Sequence, residues 1–214
     1  MNRQPRIQRY SASQRINHWL VALCFVLALV SGLGFFFPSF NWLMNALGTP
    51  QMARILHPFI GVAMFVAFLI MFFRFWHHNL LTRDDMEWAR NIRKIALNQE
   101  AGDTGRYNFG QKCVFWMSAG SLLLLLASGI IIWRPWFAGA FPIMVIRAAL
   151  LIHPISSAIL IIVIMIHIYA AIWVKGTITA MVEGRVTSEW VKKHHPRWYR
   201  ELQQRLSKQQ EKRP

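Results

Sequence analysis

Four stretches of the chain, roughly Trp19 to Phe37, Ile55 to Phe73, Cys113 to Trp133 and Ala148 to Val174, are apolar over about 20 residues each. That is the length a helix needs to cross the hydrocarbon of a bilayer, and only a helix or a closed barrel satisfies its backbone there. The chain of 214 residues, 55% hydrophobic with a formal charge of +15, therefore reads as a membrane protein rather than a soluble basic one. The first stretch lacks the pattern of a cleaved leader, because SGLGFFFPSF follows it, and it is kept as a mature span. Ser31, Gly32 and Gly34 within it are common in membrane helices. Trp19, Trp76, Trp133, Trp136 and Trp173 fall at span ends, where interfacial aromatics collect.

The basic residues set an orientation. Of 24 Lys and Arg, 21 lie before span 1, between spans 2 and 3, or after span 4. Lys and Arg are retained on the cytoplasmic side, so both termini are expected there. This distribution explains the high charge without nucleic acid, for which the polar segments offer no recognisable face. Cys24 and Cys113 are isolated and there is no C-x-x-C-H for covalent haem attachment. The expected organisation is residues 1–17 as a cytoplasmic N-terminus, 18–175 as an all-α four-helix membrane domain, and 176–214 as a basic cytoplasmic tail. The membrane domain includes a cytoplasmic loop at 75–112, in which MEWARNIRKIAL has the spacing of an interfacial helix. The polar tail RWYRELQQRLSKQQEKRP is expected to fray.

The segment LLIHPISSAILIIVIMIHIYAAIW, residues 150–173, contains no Asp, Glu, Lys or Arg, yet keeps His153 and His167. Fourteen residues bring a helix back to nearly the same face about 21 Å further along, so the two share a face and not a site. His18, at the cytoplasmic start of span 1, matches His167 in depth, and His57, at the outer start of span 2, matches His153. A lone histidine in an apolar helix is commonly a hydrogen-bonded structural residue. Four paired by depth, in a medium where polar groups are expensive and usually functional, point to ligation. The residue four after each is small (Ala22, Gly61, Ser157, Ala171), which leaves room for a flat group against the helix. At the same offset His77, His78, His194 and His195 are followed by Leu81, Thr82, Trp198 and Tyr199. Zinc would recruit further thiolate or carboxylate ligands, which neither depth supplies. Two axial imidazoles at each depth suit two non-covalent b haems with no open coordination position, an arrangement for electron transfer. His57 and His153 each precede a proline, which places them at a helix start or a bend.

SQRINHWL, GTPQMARILHPFIG, RYNFGQKCVFW, WVKGTITAMVEG and KKHHPRWYRE together resemble the gamma (cytochrome b556) subunits of bacterial membrane-bound respiratory formate dehydrogenase, the aerobic-respiration form in particular. The resemblance runs from about Arg9 to Tyr199. It implies an inner haem on His18 and His167 and an outer haem on His57 and His153. It also implies a quinone pocket at Asn108, Gly110, Gln111 and the neighbourhood of His167, for ubiquinone or menaquinone. The implied partners are an iron–sulfur subunit and a molybdenum or tungsten catalytic subunit, in a trimer of heterotrimers in the inner membrane. Electrons would run from formate outside to quinone near the cytoplasm. From the residues alone, Asn108 and Gly110 serve equally as the cap and first turn of span 3. The four-ligand layout also fits cytochrome b subunits of nickel–iron hydrogenase and thiosulfate reductase, and intramembrane histidines alone would fit a proton-relaying transporter. The loop and tail motifs favour formate, and the spans lack the intramembrane carboxylates and inverted repeat of a transporter.

Overall fold

In a computed structural model that describes residues 6–96 and 103–211, four long helices carry the apolar stretches. They are α1 (Ala12–Phe36), α2 (Pro50–Phe75), α5 (Phe109–Ile132) and α6 (Ile143–Trp173). Between and after them come α3 (Arg83–Arg90), α4 (Ile92–Ala96), α7 (Thr177–Glu183), α8 (Ser188–His194) and α9 (Pro196–Glu211). β1 (Arg6–Gln8) and β2 (Arg185–Thr187) form a two-stranded ribbon, and short 3-10 segments lie in the connections. The expected cytoplasmic segments at 1–5 and 212–214, and the end of the loop helix at 97, lie outside the described residues.

Each long helix begins earlier than its apolar stretch, at Ala12, Pro50, Phe109 and Ile143. Backbone hydrogen bonding does not stop where the hydrocarbon does, and SQRIN or PQMAR supplies adequate helix formers beyond it. His18 and His57 therefore sit about two turns inside their helices, and His153 about three, rather than at helix starts. Pro58 and Pro154 lie within continuous helix. Each removes one i to i−4 bond, to the carbonyls of Arg54 and Leu150.

The chain packs as two compact units. One comprises Ser13–Arg74 and Met117–Met165. Its core joins all four long helices through Cys24 of α1, Met64 and Phe68 of α2, Leu122 of α5 and Leu160 of α6. Inside it the loop after α1 folds back as a 3-10 helix, Pro38–Leu47, and buries Met44. A Cβ on Gly34 would stand 2.6 Å from Met44 Cγ, so that glycine is required for the loop to close. Around this core the helices leave large apolar side chains exposed, Leu151 and Ile162 among them. Such a surface is stable against lipid or another apolar chain and not in water.

The other unit comprises the described parts of Met1–Ala12, Phe75–Trp116 and Ile166–Pro214. β1 and β2 pair antiparallel with Ile7 opposite Val186. Gly184, at φ 82°, ends α7 in the left-handed conformation, and its carbonyl then accepts from the N–H groups of Arg9 and Tyr10. Ala180, Val186, Val191 and Trp198 form the core, with Tyr10, Tyr199 and Leu202 against it. Arg9, almost wholly buried, lies over the rings of Trp190 and Trp198 at 4.9 and 5.3 Å. Arg9 and Arg106 each donate to the other's carbonyl, at 3.3 and 2.9 Å. The tail expected to fray is instead the 16-residue helix α9, held by Trp198 in that core and by ion pairs Arg197–Asp84 and Arg200–Asp103. The loop helix forms as expected but in two pieces, α3 and α4, broken at Asn91, whose amide bonds back to Glu87 O.

Candidate haem site and the start of α5

His57 on α2 and His153 on α6 face each other in the core unit, with ring centroids 6.4 Å apart and planes at 62°. An imidazole nitrogen binds a metal at about 2.0 Å, so two rings on opposite sides of one iron have centroids roughly 6 Å apart. The separation fits a pair of axial ligands. Each ring lies along a neighbouring helix where that helix has a glycine. A Cβ on Gly32 would stand 3.6 Å from His57 Cε1, and one on Gly129 would stand 3.4 Å from His153 Cε1. At Gly61, four residues after His57, an added Cβ meets nothing within 4 Å, consistent with room for a flat group there.

The second ring nitrogen has a partner in both cases. His57 Nδ1 is 2.7 Å from Ser31 Oγ, and His153 Nδ1 is 3.0 Å from Ser128 Oγ. Both hydroxyls in turn donate to the carbonyl four residues earlier, Leu27 at 2.8 Å and Leu124 at 2.6 Å. From the sequence Ser31 is only an ordinary membrane-helix residue, and Ser128 is not singled out. Their signal was a Ser-Gly dipeptide in span 1 and again in span 3, at 31–32 and 128–129. His18 lies on α1 in the core unit, with Trp19 edge-on at 5.3 Å, and His167 lies on α6 within the other unit.

Asn108 immediately precedes α5, and Gly110, Gln111 and Lys112 lie in its first turn, in the second unit. Asn108 Oδ1 accepts from the Gln111 N–H at 2.9 Å, and Gln111 Oε1 accepts from the Asn108 N–H at 3.0 Å. This is a reciprocal capping box that satisfies two helix-end donors. It commits both side-chain oxygens and leaves the two amide NH2 groups outside the cap. Trp88 of α3 covers the first turn: a Cβ on Gly110 would stand 3.2 Å from its ring, which also packs on Phe109. One turn on, the Lys112 ammonium is buried, donating to Asp85 Oδ2 at 2.7 Å and to Leu80 O at 2.9 Å. Trp116 Nε1 donates to Asn79 O at 2.9 Å, tying the same segment down.

Four membrane-length helices with an imidazole pair between two of them fit a membrane-embedded cytochrome b. The chain belongs to the prokaryotic cytochrome b561 family, whose model matches residues 9–184. Among its relatives, the formate dehydrogenase cytochrome b556(fdo) subunit of Escherichia coli K12 is 68% identical over 211 residues, 99% of this chain and all of that one. The nitrate-inducible cytochrome b556(Fdn) subunit of the same organism is 48% identical over 98% of each chain. The formate dehydrogenase cytochrome b556 subunit of Haemophilus influenzae is 45% identical over 94% of this chain and 85% of that one. The family implies b haem as cofactor, and together with four apolar helices it fits a multi-pass protein of the inner membrane.

Proposed function

We propose that this chain is the membrane-anchoring cytochrome b subunit of a respiratory formate dehydrogenase, passing electrons across the bilayer to quinone. The observation that carries the reading is identity of 68% along the full length of a formate dehydrogenase cytochrome b556 subunit. The relatives named above all bear formate dehydrogenase names, which favours formate over the hydrogenase and thiosulfate reductase alternatives. Two b haems are held, the outer by His57 and His153 and the inner by His18 and His167. When bound, they supply one-electron carriers without an open coordination position. For the outer pair the support is the ring separation of 6.4 Å. For the inner pair it is the matched depth of His18 and His167 in the sequence.

Both termini and the loop at 75–112 face the cytoplasm, on the distribution of basic residues. Electrons enter from an iron–sulfur subunit on the periplasmic side, itself served by a molybdenum or tungsten catalytic subunit, in a trimer of heterotrimers. Trp42, 66% exposed on the loop after α1, is the residue chosen here to meet the iron–sulfur subunit. Ubiquinone or menaquinone is reduced near the start of α5, where the amide NH2 groups of Asn108 and Gln111 are available to its oxygens and His167 lies at the matching depth. Quantitative haem assay of the purified complex tests the reading: two b haems per chain are expected, with His57→Ala or His153→Ala losing one and keeping the other. One haem or none in a well-assembled wild type would overturn it.

A further inference from the structure

We propose that Ser31 and Ser128 are positioning residues that fix the tautomer and orientation of His57 and His153, so that Nε2 of each ring is the ligating nitrogen. The inference rests on the reading that these histidines ligate the outer haem. A neutral imidazole carries one proton, and whichever nitrogen bears it cannot bind a metal. In an apolar interior the N–H also needs an acceptor. Ser31 Oγ is within 2.8 Å of Leu27 O, and Ser128 Oγ is within 2.6 Å of Leu124 O, so each hydroxyl hydrogen points along its own helix. The oxygen then has only lone pairs to offer the ring 2.7 or 3.0 Å away, and Nδ1 must donate. Nε2 is left with its lone pair bare. The reverse assignment, hydroxyl to Nδ1, would put the proton on Nε2 and abolish ligation through it.

The arrangement occurs twice on different helices, from α1 to α2 and from α5 to α6. Both serines are buried, Ser31 completely. In both, the next residue is a glycine on which the ring's Cε1 rests, which fixes the ring's position as the serine fixes its rotation. Such an acceptor behind a ligating histidine raises the basicity of the ligand. It therefore favours the ferric over the ferrous state.

The test uses the complete complex in membranes, with Ser31 and Ser128 each replaced by Ala, Cys and Thr. Redox titration and electron paramagnetic resonance of the two haems are read alongside haem content. The Ala and Cys variants should raise the midpoint potential of the outer haem, shift its low-spin g values, and weaken its retention by roughly ten- to a hundredfold. The inner haem should not move. Thr, which keeps the hydroxyl, should restore both signatures. Unchanged potential and g values in Ala and Cys variants that hold both haems would overturn the proposal, as would loss of both haems in all three variants. His57→Ala or His153→Ala retaining two haems would instead overturn the ligand assignment beneath it, and the two failures are distinguishable in one variant set.

Discussion

Lys112→Met should release α3 from the start of α5 by leaving the Asp85 carboxylate buried without its counter-ion. The pair is 2.7 Å apart, with side chains 5% and 8% exposed. Burial alone would raise the pKa of Asp85. The Lys112 hydrogen bond, the N–H and hydroxyl of Thr82 at 2.6 and 3.0 Å, and the Lys112 charge outweigh it and hold the carboxyl below its ordinary range. Removing one partner from a buried pair costs about 3–5 kcal/mol, which at about 1.4 kcal/mol per tenfold is a rise of roughly two to three and a half orders in local opening. The assay is amide hydrogen exchange across residues 82–88 in the solubilised complex, since the opening is local and the long helices do not unfold. Asp85→Asn should behave similarly, because the buried ammonium loses the carboxylate charge and keeps only neutral oxygen acceptors, Leu80 O among them. The double variant should recover much of the loss, giving coupling of roughly 0.5–3 kcal/mol. With a depressed carboxyl pKa, the pair's contribution is present above the unfolded value of about 3.9 and is lost as pH falls through the folded one. Acid below about pH 4 should therefore move the wild type toward Asp85→Asn. Additive single variants, or exchange in Lys112→Met within threefold of wild type, would refute the reasoning.

Asn108→Asp should keep the cap on α5 and lose the amide donor, whereas Asn108→Ala loses both and about 1 kcal/mol with the cap. Both should slow quinone reduction while formate still reduces the haems; normal turnover in Asn108→Asp would leave Asn108 as a cap only. Cysteines placed at Asn45 and Gly139 should react with an impermeant reagent in spheroplasts, and one at Ser207 should not; the reverse pattern would invert the topology. Burial, then the charge of Arg9, pushes His195 down to about 3, so protonation favours the opened state. The second unit should be most stable above about pH 6.5 and lose about 1.4 kcal/mol per pH unit below it. His195→Gln should flatten that slope in hydrogen exchange of the tail.

The four spans were legible because a run of 20 apolar residues has few other uses, and their ends were not, because helices continue by backbone hydrogen bonding past the hydrocarbon edge. The tail was misread for a different reason. RWYRELQQRLSKQQEKRP is polar by local composition, but Trp198 reaches a core with Val186 and Val191, and Ile7 and Tyr10 from the other end of the chain pack against it. Nothing within a window of a few residues reports such a contact. Asn108 was read two ways, and the capping geometry is now explicit in its bond to Gln111. The quinone role rests on the donors that the cap leaves over. Ser31 and Ser128 carried no weight in the sequence because serine is ordinary in a membrane helix; only the fold sets each against a histidine.

Burial of an imidazole does not by itself mark a ligand, and this chain holds the comparison within it. His195 is buried to 2% exposure, its Nδ1 is 2.8 Å from Gly105 O, and Trp190 and Trp198 pack on it at 5.3 and 6.1 Å. A carbonyl only accepts, so Nδ1–H donates and Nε2 is unprotonated, the same tautomer proposed above for His57 and His153. The difference lies in what surrounds the ring. Around His195 indoles fill the space that a planar group would need, and the charge of Arg9 disfavours added positive charge. Around His57 and His153 the neighbouring helix presents a glycine and a serine to each ring, Phe35 packs edge-on against His57 at 5.3 Å, and the second imidazole lies at 6.4 Å. A small residue one turn on from each membrane histidine, against indole or phenol after the tail histidines, is one trace of this difference in the sequence. Its physical content is that a ligand must keep one face of its helix thin, while a structural histidine is stabilised by filling it.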